Sequence, residues 1–496
     1  MNRIRIPRCA EMGVVVLAMC AGVMASALAN SDLRDGVPVV LVGAQIPWEH
    51  VSPSDVVAFS YRGGWTQIPV QIDERDVAEY ARIYGFPGGD VVSRGGFGEN
   101  VYGEVYCDPN TSSGSDSDVS FDANDELVFM LQDAGDRAPG NKLPEFINPQ
   151  SGIELTLNDR LSGDTFYVYL FLQSGTLDSG AGVSYVDYDF KLLSGAYKAT
   201  YNTTGVDEDT GLRNSDHGPQ LNPENSIVRT SSYERHWSYR WTCDQLSLFG
   251  GSNLVEREDY WIAPGSCGRH NGTFNAQEGA IIANISGPVR AIRSVIGANS
   301  GPLVQLDRIF YAVREDTALY LRVHPRSSVG IFYVDHTHEA VGMTYYNDLN
   351  PNGVTIDGRS DRLALGPIRW ELVTGDPGSI VRIHNIDTDI DFSEDDFTLF
   401  YADDLDTEIT LCEACTSGCR VSEPLGDAHL IGASGIWNTA QQPNTDPGLL
   451  ATNYLTMLTS TYYGTPNWTA EDAGLRREWS DNPIVINTVP WREPDD

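Results

Sequence analysis

Hydrophobic and polar residues alternate along most of this chain with the period of two that predicts β-strands. The alternating stretches are short, rich in branched and aromatic residues, and separated by clusters of Gly, Pro, Asn and Asp. No regular exchange of strand and helix patterns is seen, which argues against a parallel α/β fold. The pattern predicts an all-β protein with a large antiparallel β-sandwich, of which a supersandwich is one form, and an N-terminal β-sandwich.

One stretch near the C-terminus has the spacing of an amphipathic helix instead. In DPGLLATNYLTMLTSTYYG, residues 446–464, Asp446 suits the N-cap, Pro447 the first helical position and Gly464 the C-terminal end. Apolar side chains recur between them at every fourth position: Leu450, Tyr454, Leu458 and Tyr462. This spacing predicts one C-terminal helix.

The chain has 496 residues, more than a single hydrophobic core usually supports. We expect residues 30–175 to form the N-terminal β-sandwich and residues 176–400 the large antiparallel sandwich. We expect residues 401–496 to form a cysteine-containing C-terminal part packed on the second domain.

The first 29 residues have the composition of a secretory signal peptide. Three arginines precede an apolar stretch, and the small residues Ala27–Ala29 suit a cleavage site. No later segment is apolar over enough residues to cross a bilayer, so no membrane insertion is expected. These features predict a secreted or periplasmic protein.

The chain is strongly acidic, with a formal net charge of −36. Such a polyanion repels nucleic acid and anionic lipid, so both are excluded as expected partners. The carboxylates indicate either a solubilising surface or sites for divalent cations, because calcium binds to clustered carboxylate oxygens.

Six cysteines lie outside the predicted signal peptide, and export makes disulfides the expected state. Cys243 and Cys267 are close enough in sequence to form one bridge. CEACTSGC, residues 412–419, resembles half of a zinc or redox site, but no second CxxC follows it. The sequence therefore favours disulfides without defining how the others pair.

YERHWSYRW, residues 233–241, is the candidate strand for a functional site. With a period of two, its aromatic residues and Arg235 share one face, while Glu234, His236, Ser238 and Arg240 share the other. In the simpler interpretation this is a half-buried strand with an incidental histidine. In the interpretation that we favour, the aromatic face packs in the core and the polar face lines a site.

A Cys243–Cys267 bridge would bring the loop GRHN close to the end of this strand. The predicted catalytic residues are then His236, Tyr239, Arg240, Arg269 and His270. The predicted substrate-binding residues on the neighbouring loops are Asn222 and Asn271.

Arginine can neutralise a carboxylate beside which histidine or tyrosine removes a proton, and tyrosine can protonate the leaving oxygen. These are the requirements of a polysaccharide lyase, which cleaves uronic-acid glycans by β-elimination. Hydrolysis needs two carboxylates at a suitable distance, and the sequence singles out no such pair. The expected partner is thus a polysaccharide or oligosaccharide. The alternative is a non-catalytic, calcium-stabilised protein that binds glycans or lies at the cell surface.

A candidate calcium loop lies in YYNDLNPNGVTIDG. Asp348, Asn350 and Asn352 occupy positions 1, 3 and 5 of a DxDxDG-like pattern, and Asp357 follows. Asn-Gly is equally typical of a tight β-hairpin turn, so calcium and a plain hairpin remain alternatives.

VDHTHEAVGMTYY adds His336, His338 and Tyr345 as further candidates for substrate binding. On a strand the two histidines would lie on the same face, where they could hold a metal or act as a base. A plain polar face is the competing interpretation.

Overall fold

The structure is a computed structural model that describes most of the sequence. The described residues are 34, 36–48, 50–83, 102–140, 143–193, 223–239, 243–262, 280–296, 304–322, 330–406, 429–438 and 454–491. Within them the fold is mostly antiparallel β-structure with one long helix, which confirms the predicted all-β sandwich class.

The N-terminal region is a sandwich of two antiparallel sheets. The smaller sheet has the order β1 (Pro38–Val42), β7 (Glu126–Met130) and β4 (Gln71–Asp73). The larger sheet has the order β27 (Val485–Pro490), β8 (Ile153–Asn158), β9 (Thr165–Leu172), β2 (Val56–Tyr61) and β3 (Trp65–Ile68). Strand β9 is buried on both faces, because Val168 and Leu170 contact the core between the sheets while Tyr169 and Phe171 contact a second cluster.

A nine-stranded antiparallel sheet forms the centre of the larger region. Its order is β15 (Ala280–Ser286), β16 (Ala291–Ile296), β17 (Val304–Phe310), β18 (Arg314–Leu321), β26 (Leu455–Gly464), β23 (Gly378–Thr388), β22 (Trp370–Gly375), β20 (Thr344–Asn347) and β21 (Asn350–Thr355). A period of two puts alternate residues of each strand on the inner face, which packs in the main hydrophobic cluster.

Two four-stranded sheets contribute to the same cluster. One has the order β10 (Asp187–Asp189), β11 (Pro223–Arg229), β12 (Tyr233–Tyr239) and β13 (Cys243–Leu248). The other has the order β14 (Val255–Ile262), β19 (Gly330–His336), β25 (Leu430–Asn438) and β24 (Phe397–Asp404). A separate hairpin joins β5 (Arg75–Glu79) to β6 (Tyr102–Tyr106), and a short helix, α1 (Tyr80–Ile83), follows β5.

The prediction of a helix over residues 446–464 is wrong for its described part. Leu455–Gly464 is strand β26, which pairs with β18 on one side and β23 on the other. The fourfold spacing of apolar residues coincided with an equally good alternation, and the three threonines in TMLTST favour a strand because they are branched at Cβ. Two complete ladders then outweigh the local helical pattern.

The long helix that the structure does contain, α2 (Ala470–Asp481), begins just after β26. Thr469 caps it by accepting a hydrogen bond from the Asp472 amide. In return, the Thr469 amide donates a hydrogen bond to Asp472 Oδ2, with an N–O distance of 2.8 Å. This reciprocal pair is a capping box with Asp in the third position. No described helix is long and apolar enough to span a membrane.

The described strands of the C-terminal part belong to both regions. Strands β25 and β26 lie in the large sandwich, whereas β27 pairs with β8 of the N-terminal sandwich. Trp479 of α2 packs against the core clusters of both regions. The final segment therefore joins the two sandwiches, and the predicted domain boundaries stay predictions.

Candidate functional site

Strand β12 has the predicted orientation over its described side chains. Tyr233, Arg235 and Trp237 are buried, whereas Glu234 is exposed and His236 is half-buried. The His236 Nε2 atom lies 2.8 Å from Asn225 Oδ1 on β11. The aromatic face therefore packs in the core, and the polar face points away from it.

Arg235, on the buried face, is the centre of an ionic network that the sequence did not reveal. Its guanidinium binds Glu258 at 2.5 Å and Glu315 at 2.8 Å. Arg308 pairs with the same two carboxylates, and the Tyr463 hydroxyl donates to Glu315 at 2.7 Å. Burial alone would raise the pKa of Glu258, but Arg235 and Arg308 outweigh it and lower that pKa to about 2. All the charges are thus compensated inside the sandwich.

This network continues across the inner face of the nine-stranded sheet as a band of polar residues. In one cross-strand row Arg308 pairs with Thr317, Thr317 with Thr459, and Thr459 with His384. Directly paired residues share a face of the sheet, so these four side chains lie side by side. The next row completes what we call the polar band: Glu315, Thr461, Arg382 and Glu371.

A histidine–carboxylate pair lies at the far end of the polar band. His384 Nε2 is 2.8 Å from Glu371 Oε1, and Arg382 Nε is 3.2 Å from the same oxygen. The Tyr345 hydroxyl donates to Glu371 Oε2 at 3.1 Å. Burial would raise the pKa of Glu371, but Arg382 and His384 lower it to about 2. Tyr345 is fully buried in this position, and its role as a substrate-binding residue stays a prediction.

The polar band lines a cavity of about 100 Å³ between the nine-stranded sheet and strands β14, β19 and β25. Glu258, Arg308, Arg382 and His384 supply its charged and titratable groups. Small-molecule sites usually measure about 300–1,000 Å³, whereas one water needs only about 15 Å³. The cavity therefore suits a few waters, and the polar band is a compensated ionic core.

A second and larger cleft, which we call the helix-start cleft, has a volume of about 770 Å³. It is lined by parts of the 339–346, 374–377 and 467–471 segments. Two aromatic rings, Tyr346 and Trp468, are half-buried in it. The Arg476 guanidinium lies 3.8 Å from the Trp468 ring centroid and holds that ring in position.

The helix-start cleft is acidic. Glu339, Asp376 and Glu471 line it and are exposed, and none of its described lining residues is Lys, Arg or His. Gly353 lies against the Tyr346 ring, and a Cβ at this position would be only 2.5 Å from a ring carbon. Gly353 also has a φ of 67°, which favours glycine. The cleft thus combines positioned aromatic rings with negative charge.

The predicted calcium loop is a β-hairpin in the structure. Asn347 pairs with Asn350, so the turn is at residues 348–349 rather than at Asn352-Gly353. Asp348 and Asp357 lie at opposite ends of β21, and six strand residues span about 20 Å. Asp348, Asn350, Asn352 and Asp357 therefore cannot surround one ion. The predicted loop geometry is wrong, whereas calcium binding by the protein stays a prediction.

The two candidate histidines of the 335–340 segment do not share a face. His336 ends β19, is buried, and has its Nδ1 3.1 Å from the Gly432 carbonyl oxygen. His338 lies in a single 3₁₀ turn that Thr337 caps, and its side chain is exposed. The strand ends two residues before His338, so the predicted metal pair on one strand face does not form. Burial, with a smaller effect of Arg382, lowers the pKa of His336 to about 4.

Much of the predicted catalytic group lies outside the described residues: Asn222, Arg240, Cys267, Arg269, His270, Asn271 and the side chain of Tyr239. Cys243 is described and carries a buried free thiol, with its Sγ 3.4 Å from Arg235 Nη1. Burial raises the pKa of this thiol to about 12. The bridge to Cys267 and the catalytic group around His236 stay predictions.

The polar band and the helix-start cleft were missed at the level of sequence. Arg382 and His384 occur two residues apart in SIVRIHNI, a stretch that also contains four branched apolar residues. Thr459 and Thr461 repeat that spacing in the stretch that was interpreted as a helix. Polar residues at alternate positions of apolar strands were therefore the available signal. No comparable signal exists for the cleft, because distant segments form it.

The described residues define an all-β protein of two joined sandwiches. No protein-family model and no curated protein matches the chain. Among solved structures it is similar to an α-mannosidase from Enterococcus faecalis V583, with 7% identity, a TM-score of 0.43, and coverage of 93% of this chain and 45% of that one. The chain is also similar to a protein of glycosyl hydrolase family 38 from Enterococcus faecalis, with 7% identity and a TM-score of 0.41. That match covers 93% of this chain and 46% of the other. The chain spans less than half the length of either protein, and likeness at this level transfers no activity.

Proposed function

We propose that the protein is carbohydrate-active and takes a neutral oligosaccharide in the helix-start cleft. The observation that carries this proposal is the composition of the cleft, with two aromatic rings and three carboxylates and no basic side chain among its described lining residues. Its volume of about 770 Å³ lies within the range of ligand sites.

Each part of this lining has a counterpart on a sugar. The apolar C–H face of a pyranose packs on an aromatic ring, as Tyr346 and Trp468 would allow. Sugar hydroxyls donate hydrogen bonds, and carboxylates accept them more strongly than neutral groups do. Glu339, Asp376 and Glu471 would repel the carboxylate of a uronic acid, because like charges brought together are costly. These groups favour a neutral glycan over an acidic one.

The same carboxylates would serve hydrolysis if two of them flank the scissile bond. Retaining and inverting glycosidases place such pairs about 5–9.5 Å apart, one acting as acid and the other as nucleophile or base. If none of the three takes part in chemistry, the cleft is a binding site, which is the non-catalytic alternative.

Polysaccharide lyase activity on a uronic-acid glycan is the second candidate function. Its support is the outward polar face of β12, where His236 is half-buried and lies beside Asn225. Its substrate would occupy that face rather than the helix-start cleft. Incubation with acidic polysaccharides would reveal unsaturated products by their absorbance.

The proposal is tested by calorimetric titration of the purified protein with neutral and with uronic-acid oligosaccharides. Glu471→Gln and Asp376→Asn should each weaken binding of a neutral oligosaccharide on the order of tenfold, the effect of one charge-assisted hydrogen bond. Glu234→Gln, at an exposed carboxylate of β12, is the matched control and should bind as the wild type does.

Release of new reducing ends distinguishes an enzyme from a binding protein. Turnover that is lost in one of the two variants even at a saturating concentration of oligosaccharide would assign hydrolysis to that carboxylate. Binding of uronic-acid oligosaccharides alone would contradict the proposal and favour the lyase site.

A further inference from the structure

A hydroxyl group, an imidazole and a carboxylate of the polar band form a continuous chain of contacts. Thr459 Oγ1 lies 3.3 Å from His384 Nδ1, and His384 Nε2 lies 2.8 Å from Glu371 Oε1. The sheet register fixes these contacts, because Thr459 on β26 is directly paired with His384 on β23, and Glu371 is on the next strand, β22. A hydroxyl, a base and a group that orients the base are the parts of an activated nucleophile.

The contacts also define the roles of the two imidazole nitrogens. Although burial opposes it, Arg382 and His384 lower the pKa of Glu371 to about 2, so this carboxylate is ionised and accepts the Nε2 hydrogen. In the neutral imidazole Nδ1 is then an acceptor, and it faces Thr459. Arg382 Nε and the Tyr345 hydroxyl hold Glu371 in place, at 3.2 Å and 3.1 Å. His384 is therefore oriented as a base toward Thr459.

Thr459 and His384 line the cavity of about 100 Å³ beside the polar band. Thr459 is half-buried, and Ile386, two residues beyond His384 on the same strand face, is exposed. Solvent therefore reaches this end of the face. An engineered cavity of about 150 Å³ in a protein core holds benzene, so the smaller cavity suits an acyl group of about three or four heavy atoms, such as acetyl.

Attack on an ester also requires a donor for the oxygen on which negative charge develops. Arg308 lines the same cavity, is 5% exposed, and lies in the cross-strand row that contains Thr459. Its Nε atom is buried and has no hydrogen-bond partner within the described part of the chain. Two strand spacings, about 10 Å, separate β17 from β26, which an arginine side chain and a bound carbonyl group span together.

We propose that Thr459, His384 and Glu371 form a hydrolase site for esters of small acyl groups such as acetyl. Thr459 Oγ1 attacks the carbonyl carbon while its proton passes to His384 Nδ1, and Glu371 stabilises the imidazolium. The imidazolium returns the proton to the leaving alcohol, and an acyl-threonine remains. Water, deprotonated by His384, then attacks the acyl-threonine and releases the carboxylic acid and free Thr459. One ester and one water thus give one alcohol and one acid.

This inference does not depend on the proposed oligosaccharide site. The helix-start cleft and this cavity have no lining residue in common. Loss of either activity therefore leaves the other to be measured separately.

Hydrolysis of p-nitrophenyl acetate by the purified protein tests the site. Thr459→Val keeps the shape of the side chain and removes its hydroxyl, so kcat/KM should fall on the order of a hundredfold or more. Thr459→Ser keeps a hydroxyl and should retain most of the turnover. Ser460→Ala is the matched control, because it removes a hydroxyl of the same strand that binds Asp316 on the opposite face. It should hydrolyse the ester as the wild type does.

Glu371→Gln tests the positioning role of the carboxylate. It should lower kcat on the order of a hundredfold or more with little change in KM, because the imidazole stays in the cavity but loses the charge that stabilises its protonated form. An unchanged kcat, or a change in KM alone, would contradict this role.

The acyl-threonine gives a direct measurement on the wild type, which decides the question even if a variant fails to fold. After acid quench during turnover, mass spectrometry should find acetyl on Thr459. Acetyl on another residue in its place would overturn the proposal. So would wild-type turnover no faster than that of Thr459→Val, or an equal loss in Ser460→Ala.

Discussion

The two sandwiches of this protein fill their interiors differently. The N-terminal core is apolar, with Leu41, Leu127, Leu155 and Leu170 fully buried. The large sandwich has an apolar core as well, but the polar band crosses the inner face of its nine-stranded sheet. The same all-β architecture therefore accommodates both a purely apolar core and a core that contains compensated charges.

The two kinds of core contribute differently to stability and to the specificity of strand pairing. Burial of apolar surface stabilises both regions in proportion to the area removed from water. A buried ion pair adds little net stability, because the cost of desolvation offsets the attraction, but the loss of one partner is severe. The polar band therefore makes the large sandwich intolerant of mismatched strands, and we infer that it helps to specify which strands pair.

The largest expected effect is from Glu315→Gln in the polar band. Glu315 is fully buried and accepts from Arg235, Arg308 and Tyr463, so neutralising it leaves two buried guanidinium groups undercompensated. We expect a loss of about 3–5 kcal/mol in the free energy of unfolding. Urea unfolding followed by tryptophan fluorescence measures it.

Leu155→Ala in the N-terminal core is the matched comparison and should cost about 2–5 kcal/mol through a cavity. Replacing both charges of an ion pair distinguishes the ionic core from the apolar one. Adding Arg235→Met to Glu315→Leu should recover part of the lost stability, whereas Leu155→Ala has no charged partner to replace. A loss below about 1 kcal/mol in Glu315→Gln would contradict the contrast between the cores.

Next in size is the contrast between the two faces of β12. Trp237 is fully buried and packs on Phe310 with ring centroids 5.5 Å apart, so Trp237→Ala should cost about 3–5 kcal/mol. His236→Ala removes one hydrogen bond from a half-buried side chain and should cost about 1 kcal/mol. Thermal melts of the two variants give the comparison. An equal loss in both would mean that the polar face is also part of the core.

A smaller effect, confined to the large sandwich, concerns the pH dependence of stability. Two adjacent residues, Asp335 and His336, contribute to it with opposite signs. Burial outweighs the Arg257 partner and raises the pKa of Asp335 to about 7, whereas the pKa of His336 is lowered to about 4. The stability from Asp335 is complete below its unfolded pKa and is lost as the pH rises through about 7. The stability from His336 is complete above its unfolded pKa and is lost as the pH falls through about 4.

Because the two contributions oppose each other between about pH 4 and 6.5, the wild type should show a shallow curve there. Asp335→Asn should make stability rise more steeply with pH over this window, and His336→Gln should make it fall. Each change should reach about 1–3 kcal/mol across the window. Urea midpoints at several pH values measure both slopes, and parallel curves for all three proteins would contradict the prediction.

The smallest expected effect is at the cap of α2, the helix that contacts both cores. Thr469→Ala removes the acceptor for the Asp472 amide and should cost about 1 kcal/mol. Thr469→Ser keeps the acceptor and is the control. Because Trp479 packs against both regions, hydrogen exchange should show faster opening of β27 as well as of α2. Exchange that changes in α2 alone would mean that the helix does not couple the two sandwiches.

Strand β12 shows how much of the structure the local periodicity of the sequence can predict. Its period of two correctly assigned Tyr233 and Trp237 to the core and His236 to the outer face, because a half-buried strand separates its faces in sequence. For residues 455–464, where a helical and a strand pattern coincide, the helical spacing was preferred and was wrong, whereas the period of two was right. It also predicted a shared face for His336 and His338, although β19 ends between them.

The alternation of side chains and the turn residues by themselves determined the all-β class, and the alternation determined the orientation of β12. Only the tertiary structure decided which strands became neighbours. Thr317 meets Thr459, and Thr459 meets His384, because β26 inserts between β18 and β23. The polar band depends on such pairings between distant parts of the chain. Local periodicity describes the faces of one strand, but it carries no information about the partner, which is selected by the packing of the whole sheet.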